Sequence, residues 1–288
     1  MTAPVRIDGQ TVGAIGAGRE APPAALAGSP PAVAARWTSR EHPLLWRLLS
    51  VALFLGAWEI AGRIPINFAF PPFSEVFEAF LRMMADGSMV AAYAETLKPL
   101  VIGIVISTVL GVAIGVAMGL SRLSEWLVAP VFIVLQAAPM AALVPLLTFV
   151  YGIGLLSKTL AVILLALPVI ALNGYKAIRN ANPTLIAMCK VFLGTRRQQI
   201  LKVIIPDATP VIFAGLRLGI AAGFIGVMLA ELLITPTGIG DLITYHRSVA
   251  DYAEMYAAVA SIVVLSALTL AALQAFEVRV LRPEKRGS

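Results

Sequence analysis

Charge is what this chain has least of. Only 13% of its 288 residues are Asp, Glu, Lys or Arg, against 59% hydrophobic, where an ordinary soluble domain carries about 25% charged residues. That balance excludes a water-soluble globular enzyme and points to a membrane protein. A single cysteine, Cys189, excludes an internal disulfide and any multi-cysteine metal site. The two histidines, His42 and His246, stand far apart and offer no metal-ligand spacing. No nucleophile with its base and no paired carboxylates can be found, so neither covalent chemistry nor a cofactor or metal is expected. The net charge of +6 reads as basic cytoplasmic loops rather than as a nucleic-acid surface.

Long apolar runs are what the chain has most of. Crossing about 30 Å of hydrocarbon takes about 20 helical residues at 1.5 Å each. Six stretches qualify, at about 44–62, 97–120, 126–151, 155–175, 210–233 and 255–276, within a membrane domain of 44–281. Residues 1–43, rich in Ala, Gly and Pro and without helical period, read as a disordered tail. Residues 282–288 form a short basic tail. Between the first two spans, Pro71 to Glu95 is too short and too charged to cross. There Val76, Phe77, Phe80, Leu81 and Met84 share one side of a helix that Asp86-Gly87 ends, so the segment is expected along the extracytoplasmic surface.

Lysine and arginine orient the spans. Arg47, Arg122, Lys176, Arg179, Lys190, Arg196, Arg197, Lys202, Arg279 and Arg282 fall on one side. Arg63, Arg82, Lys98, Lys158 and Arg247, diluted by acidic residues, fall on the other. Both termini are therefore expected in the cytoplasm.

The longest basic, amphipathic interruption is Asn182 to Pro206, on the cytoplasmic side between spans four and five. Asn182 can cap a helix opened by Pro183. Gly194 suits the left-handed residue that ends it. Thr195 and Gln198 form a capping box for a second helix that Pro206 stops. Leu185, Met188, Cys189 and Phe192 make one apolar stripe, and such a stripe must lie on something.

Few polar residues sit at membrane depth: Gln136, Asn173, Arg217, Glu231 and Gln274. Arg217 and Glu231 lie roughly 21 Å apart along one helix and cannot pair. They read either as helix-end residues or as functional charges. Pro139, Pro145 and Pro168 either expose carbonyls to a pathway or sit in packed helices. Gly111, Gly115 and Gly119, and again Gly215, Gly219 and Gly223, recur every four residues, for packing within the chain or against another subunit. Gly152 to Thr159, GIGLLSKT, nearly spells a phosphate-binding loop, but Ser157 replaces the second glycine and the context joins two spans, so nucleotide binding is not expected.

Taken in order, these residues resemble a known family. Ile205-Pro206, Pro210, Gly215-Leu216-Arg217, Ala230-Glu231 and Gly238-Ile239-Gly240 look like the permease subunit of binding-protein-dependent ABC importers. Pro71-Pro72, Gln136-Ala137-Ala138-Pro139, Leu143-Val144-Pro145-Leu146 and Ser157-Lys158 resemble its nitrate, sulfonate and taurine branch. The resemblance implies an all-α, six-helix type I importer fold. It also implies an inner-membrane location, a second permease subunit that makes either a homodimer or a heterodimer, a cytoplasmic ABC ATPase dimer and an extracytoplasmic solute-binding protein. The segment matching 182–206 would then be the coupling helix, with Leu185, Met188, Cys189, Phe192, Gly194, Thr195 and Pro206 at the ATPase. Gln136, Pro139, Asn173 and Glu231 would line the pathway or pack beside it. The family's Glu-Ala-Ala is replaced here by Met188, Cys189 and Lys190, and Pro183 to Gly194 is one residue longer than usual. A stand-alone ion-coupled transporter, a channel and an intramembrane enzyme are the competing readings. The first two would call for charges facing a central cavity, the third for a catalytic constellation.

Overall fold

A computed structural model describes residues 43–64, 69–234 and 236–281. The chain divides into two units, 1–53 and 54–288. Of the first, only the opening turns of helix α1 (Pro43–Arg63) are described, and the account below concerns the second. The expected tails, apart from Pro43, lie outside the described residues, as does the side chain of Arg47.

Every described element is helical. A short α2 (Phe73–Ala85) leads through Gly87, in the left-handed region at φ 81°, into the long α3 (Ser88–Leu120). The helix thus starts at Ser88, within the expected surface segment and well before Leu97. The packed face of α2 is also turned from the expected one. Val76, Ala79 and Met83 are buried, while Phe77, Leu81 and Met84 stay exposed. The apolar arc of α2 is wider than the strip that α3 and α11 can cover, and sequence periodicity alone does not choose the covered part.

The expected span at 126–151 is not one straight helix. It breaks into α4 (Arg122–Ala137) and α5 (Met140–Tyr151), bent by 102°. Pro139 is the cause. It holds Ala138 extended at φ −67°, ψ 139°, and cannot donate to the preceding turn.

The centre of the fold is α6 (Leu155–Arg179), packed between α3 and α9 (Ile205–Leu233). Both glycine ladders face it. A Cβ on Gly115 would stand 2.6 Å from the Ala171 carbonyl oxygen, and one on Gly215 2.5 Å from Asn173 Cβ. The glycines therefore serve contacts within the chain, where close backbone approach substitutes for a hydrophobic driving force. The short helix α10 (Ile239–Ser248) and the long α11 (Tyr252–Leu281) close the bundle on the α2 side.

Among the described residues, four helices are long and apolar enough to cross a membrane: α3, α6, the continuous helix ending in α9, and α11. The bent α4–α5 pair raises this to five.

Candidate functional site

The segment after α6 builds a small helical corner. In α7 (Pro183–Val191), Asn182 caps as expected, its side chain accepting from the Thr184 N–H at 2.9 Å, with Pro183 opening the helix. The Asn182 N–H donates to Asp207 Oδ2 at 2.8 Å, which ties the start of α7 to α9. Asp207 was not legible as part of this corner, because only the fold brings position 207 back to 182.

The end of α7 corrects the expectation for Gly194. The left-handed residue is Leu193, at φ 55°. The Leu193 N–H donates to the Lys190 carbonyl at 3.0 Å and the Gly194 N–H to the Cys189 carbonyl at 2.9 Å, the paired bonds of a Schellman ending. Gly194 is needed for space instead. A Cβ there would stand 2.6 Å from Cys189 Sγ and 2.8 Å from its carbonyl oxygen.

Helix α8 (Arg196–Gln199) starts on the expected Thr195–Gln198 capping box. It does not end at Pro206. It runs through a wide π-turn, Ile200–Ile204, straight into α9. The Ile205 N–H bonds five residues back to the Ile200 carbonyl. That wider turn makes room for the Pro206 ring, which in a regular helix would crowd the carbonyl four residues before it.

Of the α7 residues, Ile186 packs on the bundle, against a cluster that includes Ile178, Ile204 and Ala208. The stripe is left uncovered. Leu185, Met188 and Phe192 are exposed and Cys189 is half-buried. With Gly194, Lys202 and Pro206 they line a groove of about 520 Å³ between α7 and the π-turn. Val191, Phe192 and Leu193 form an apolar tip, Leu193 being 91% exposed, beside exposed Lys190, Arg196 and Arg197.

At the other end of α6 lies a site that loop counting missed. Lys158, expected among the loop cations, is the fourth residue of α6, and its ammonium is 2.9 Å from Glu231 Oε1 of α9. Their side chains are 4% and 0% exposed. The ammonium also donates to the Thr237 hydroxyl at 2.8 Å and the Thr237 carbonyl at 3.1 Å. Glu231 accepts from the Thr96 hydroxyl of α3 at 2.9 Å and from the Gly240 N–H at 3.0 Å. Thr96 Oγ1 in turn accepts from the Ile239 N–H at 2.9 Å.

Two glycines admit the carboxylate. Gly238 lies in the left-handed region at φ 91°, and a Cβ on Gly238 or Gly240 would collide with the Glu231 side chain. Four helices thus meet on one buried ion pair whose donors and acceptors are matched, the arrangement in which such a pair is tolerated. Its signal in the sequence was a lysine directly before an apolar run. The Lys158 side chain is committed here, a further reason against GIGLLSKT as a phosphate loop.

The other polar candidates are not gathered into one cavity. Gln136 and Pro139 are exposed at the α4–α5 corner. Asn173, half-buried on α6, donates to the Val169 carbonyl of its own helix at 2.7 Å. Arg217 pairs with Glu277 of α11 at 3.5 Å.

In sequence the chain is similar to known membrane transport components. Residues 107–282 match the family model described as "Binding-protein-dependent transport system inner membrane component". The riboflavin transport system permease protein RibX of Chloroflexus aurantiacus is 34% identical, covering 84% of this chain and 90% of its own. The taurine transport system permease protein TauC of Escherichia coli is 26% identical over 85% and 91%. SsuC of Bacillus subtilis, whose name assigns it to aliphatic sulfonates transport, is 26% identical over 82% and 86%.

Proposed function

The chain belongs to the family of binding-protein-dependent transport system inner membrane components, and from that premise we propose that it is the transmembrane permease subunit of an ATP-driven importer. It forms, with a second copy of itself, the pathway for a small solute released by an extracytoplasmic binding protein. Its six spans are the five above and α1, with both termini in the cytoplasm, as the lysine and arginine distribution favours. The solute is a sulfonate, nitrate, taurine or a related compound, since TauC and SsuC are among the relatives. RibX adds riboflavin to the compounds worth screening.

The observation that carries this reading is the uncovered stripe of α7. Leu185, Met188 and Phe192 are exposed in a segment that is capped at both ends and tied back through Asp207. An apolar, rigid and basic-rimmed corner of this kind fits a groove on a cytoplasmic ATPase dimer. When ATP closes that dimer, the two docked corners move with it, and α9, continuous with α8, carries the displacement into the membrane. Taking a two-state pathway from 1:99 to 99:1 needs about 5.5 kcal/mol of differential affinity, so the corner must be held firmly. ATP hydrolysis resides on the partner, and this chain is not itself an enzyme.

The reading is tested by copurification with a tagged chain and by solute uptake in reconstituted vesicles. An ATPase in the eluate and ATP-dependent uptake are expected. Gly194→Val should keep the chain in the membrane but separate uptake from ATP hydrolysis, because the added bulk pushes the α7–α8 turn off Cys189. Uptake that follows an ion gradient with no ATPase bound would establish a stand-alone transporter instead.

A further inference from the structure

The buried Lys158–Glu231 pair joins the start of α6 to the last turns of α9. Three facts make parting there unfavourable. The two charges are almost wholly removed from solvent, with side chains 4% and 0% exposed. Their remaining hydrogen-bonding positions are filled from α3, through Thr96, and from the segment entering α10, through Thr237 and Gly240. The backbone around them is threaded tightly, because Gly238 and Gly240 leave no room for a side chain beside Glu231. Opening this corner would expose or strand two charges at once.

The α4–α5 pair has the opposite character. It is bent by 102° at Pro139, and Phe132 and Val144 are its only buried residues among those described. Trp126, Leu127, Val134, Phe149 and Val150 along it are exposed.

We infer that Lys158, Glu231, Thr96 and Thr237 form a clamp that stays closed throughout the transport cycle, uniting α3, α6, α9 and the start of α10 into one rigid lever, so that the pathway changes shape at the α4–α5 corner. Lys158 and Glu231 are then positioning residues, acting through the helices they join. The inference rests on the importer reading given above.

The test uses the full complex copurified with the tagged chain, in nanodiscs, without nucleotide, during ATP turnover and trapped with ATP and vanadate. A water-soluble amine-reactive ester reports on Lys158, with exposed Lys98 as internal reference and the guanidinium-unfolded chain as the fully reactive control. Lys158 should react roughly tenfold or more slowly than Lys98 in all three states, as expected for a group reached only by local opening. Amide exchange across 138–145 should change between the states while that of 239–240 stays constant. Glu231→Gln, which retains an acceptor for Thr96 and Gly240, should lower solute imported per ATP hydrolysed.

Labelling of Lys158 during turnover, exchange changes at 239–240, or no exchange change at 138–145 in a complex that hydrolyses ATP would each overturn the clamp. So would parallel loss of uptake and hydrolysis in Glu231→Gln, which marks a merely structural role. Absence of any ATPase from the wild-type eluate would instead overturn the importer reading, and the inference with it.

Discussion

Replacing Lys158 by Met should be among the most damaging single substitutions in this chain. Methionine fills nearly the same space, so the loss is electrical rather than steric. Glu231 would keep Thr96 and the Gly240 N–H but would lose an ammonium at 2.9 Å. At that distance two unit charges attract by about 6 kcal/mol at an effective dielectric of 20, partly offset in the intact protein by the cost of burying both. Measured consequences of breaking a buried pair are about 3–5 kcal/mol. For a chain of this size that corresponds to a fall in melting temperature on the order of 10 °C. The double variant Lys158→Met with Glu231→Met removes both desolvation costs and should lose less than Lys158→Met alone. The charge exchange, Lys158→Glu with Glu231→Lys, should not rescue, because the Gly240 N–H would then face an ammonium and the Thr237 carbonyl a carboxylate. The assay is tryptophan fluorescence during heating of the detergent-solubilised chain, which has four tryptophans. A Lys158→Met loss below about 1 kcal/mol, the scale of an exposed pair, or full rescue by the exchange, would refute the reasoning.

Three further outcomes follow from the packing and the α7–α8 corner. Leu193→Gly relieves a left-handed leucine worth about 1 kcal/mol, so the amide of residue 194 should exchange about fivefold more slowly; faster exchange would contradict the Schellman ending. Thr195→Ala breaks the capping box and should cost about 1 kcal/mol locally, read as faster exchange across 196–199. Gly115→Ala forces a methyl to within 2.6 Å of the Ala171 carbonyl and should cost about 1–3 kcal/mol by overpacking. Unchanged thermal stability there would argue against the close α3–α6 contact.

Much of the fold was legible because membrane helices are written in composition. Long apolar runs, the fourfold glycine spacing and the capping residues Asn182 and Thr195 each act through neighbours within one helix turn or through solvent preference, which a linear reading captures. The family resemblance, carried by motifs such as Gly215-Leu216-Arg217 and Gly238-Ile239-Gly240, needed no coordinates. The Pro139 bend and the passage of the helix through Pro206 were harder. Both prolines obey the same local rule, but a pre-proline extended residue breaks one helix while a π-turn absorbs the other, and the choice depends on what surrounds them.

The sequence alone determined a helical membrane chain with a capped basic corner and an apolar stripe seeking a partner, because hydropathy, helical period and cap chemistry are local properties. Only the tertiary structure decided which residue is left-handed at the end of α7, which face of α2 is covered, and that Lys158 belongs to Glu231 rather than to a loop. Each of those depends on groups brought together from distant positions, as when residues 96, 158, 231 and 237 close around a single buried charge pair.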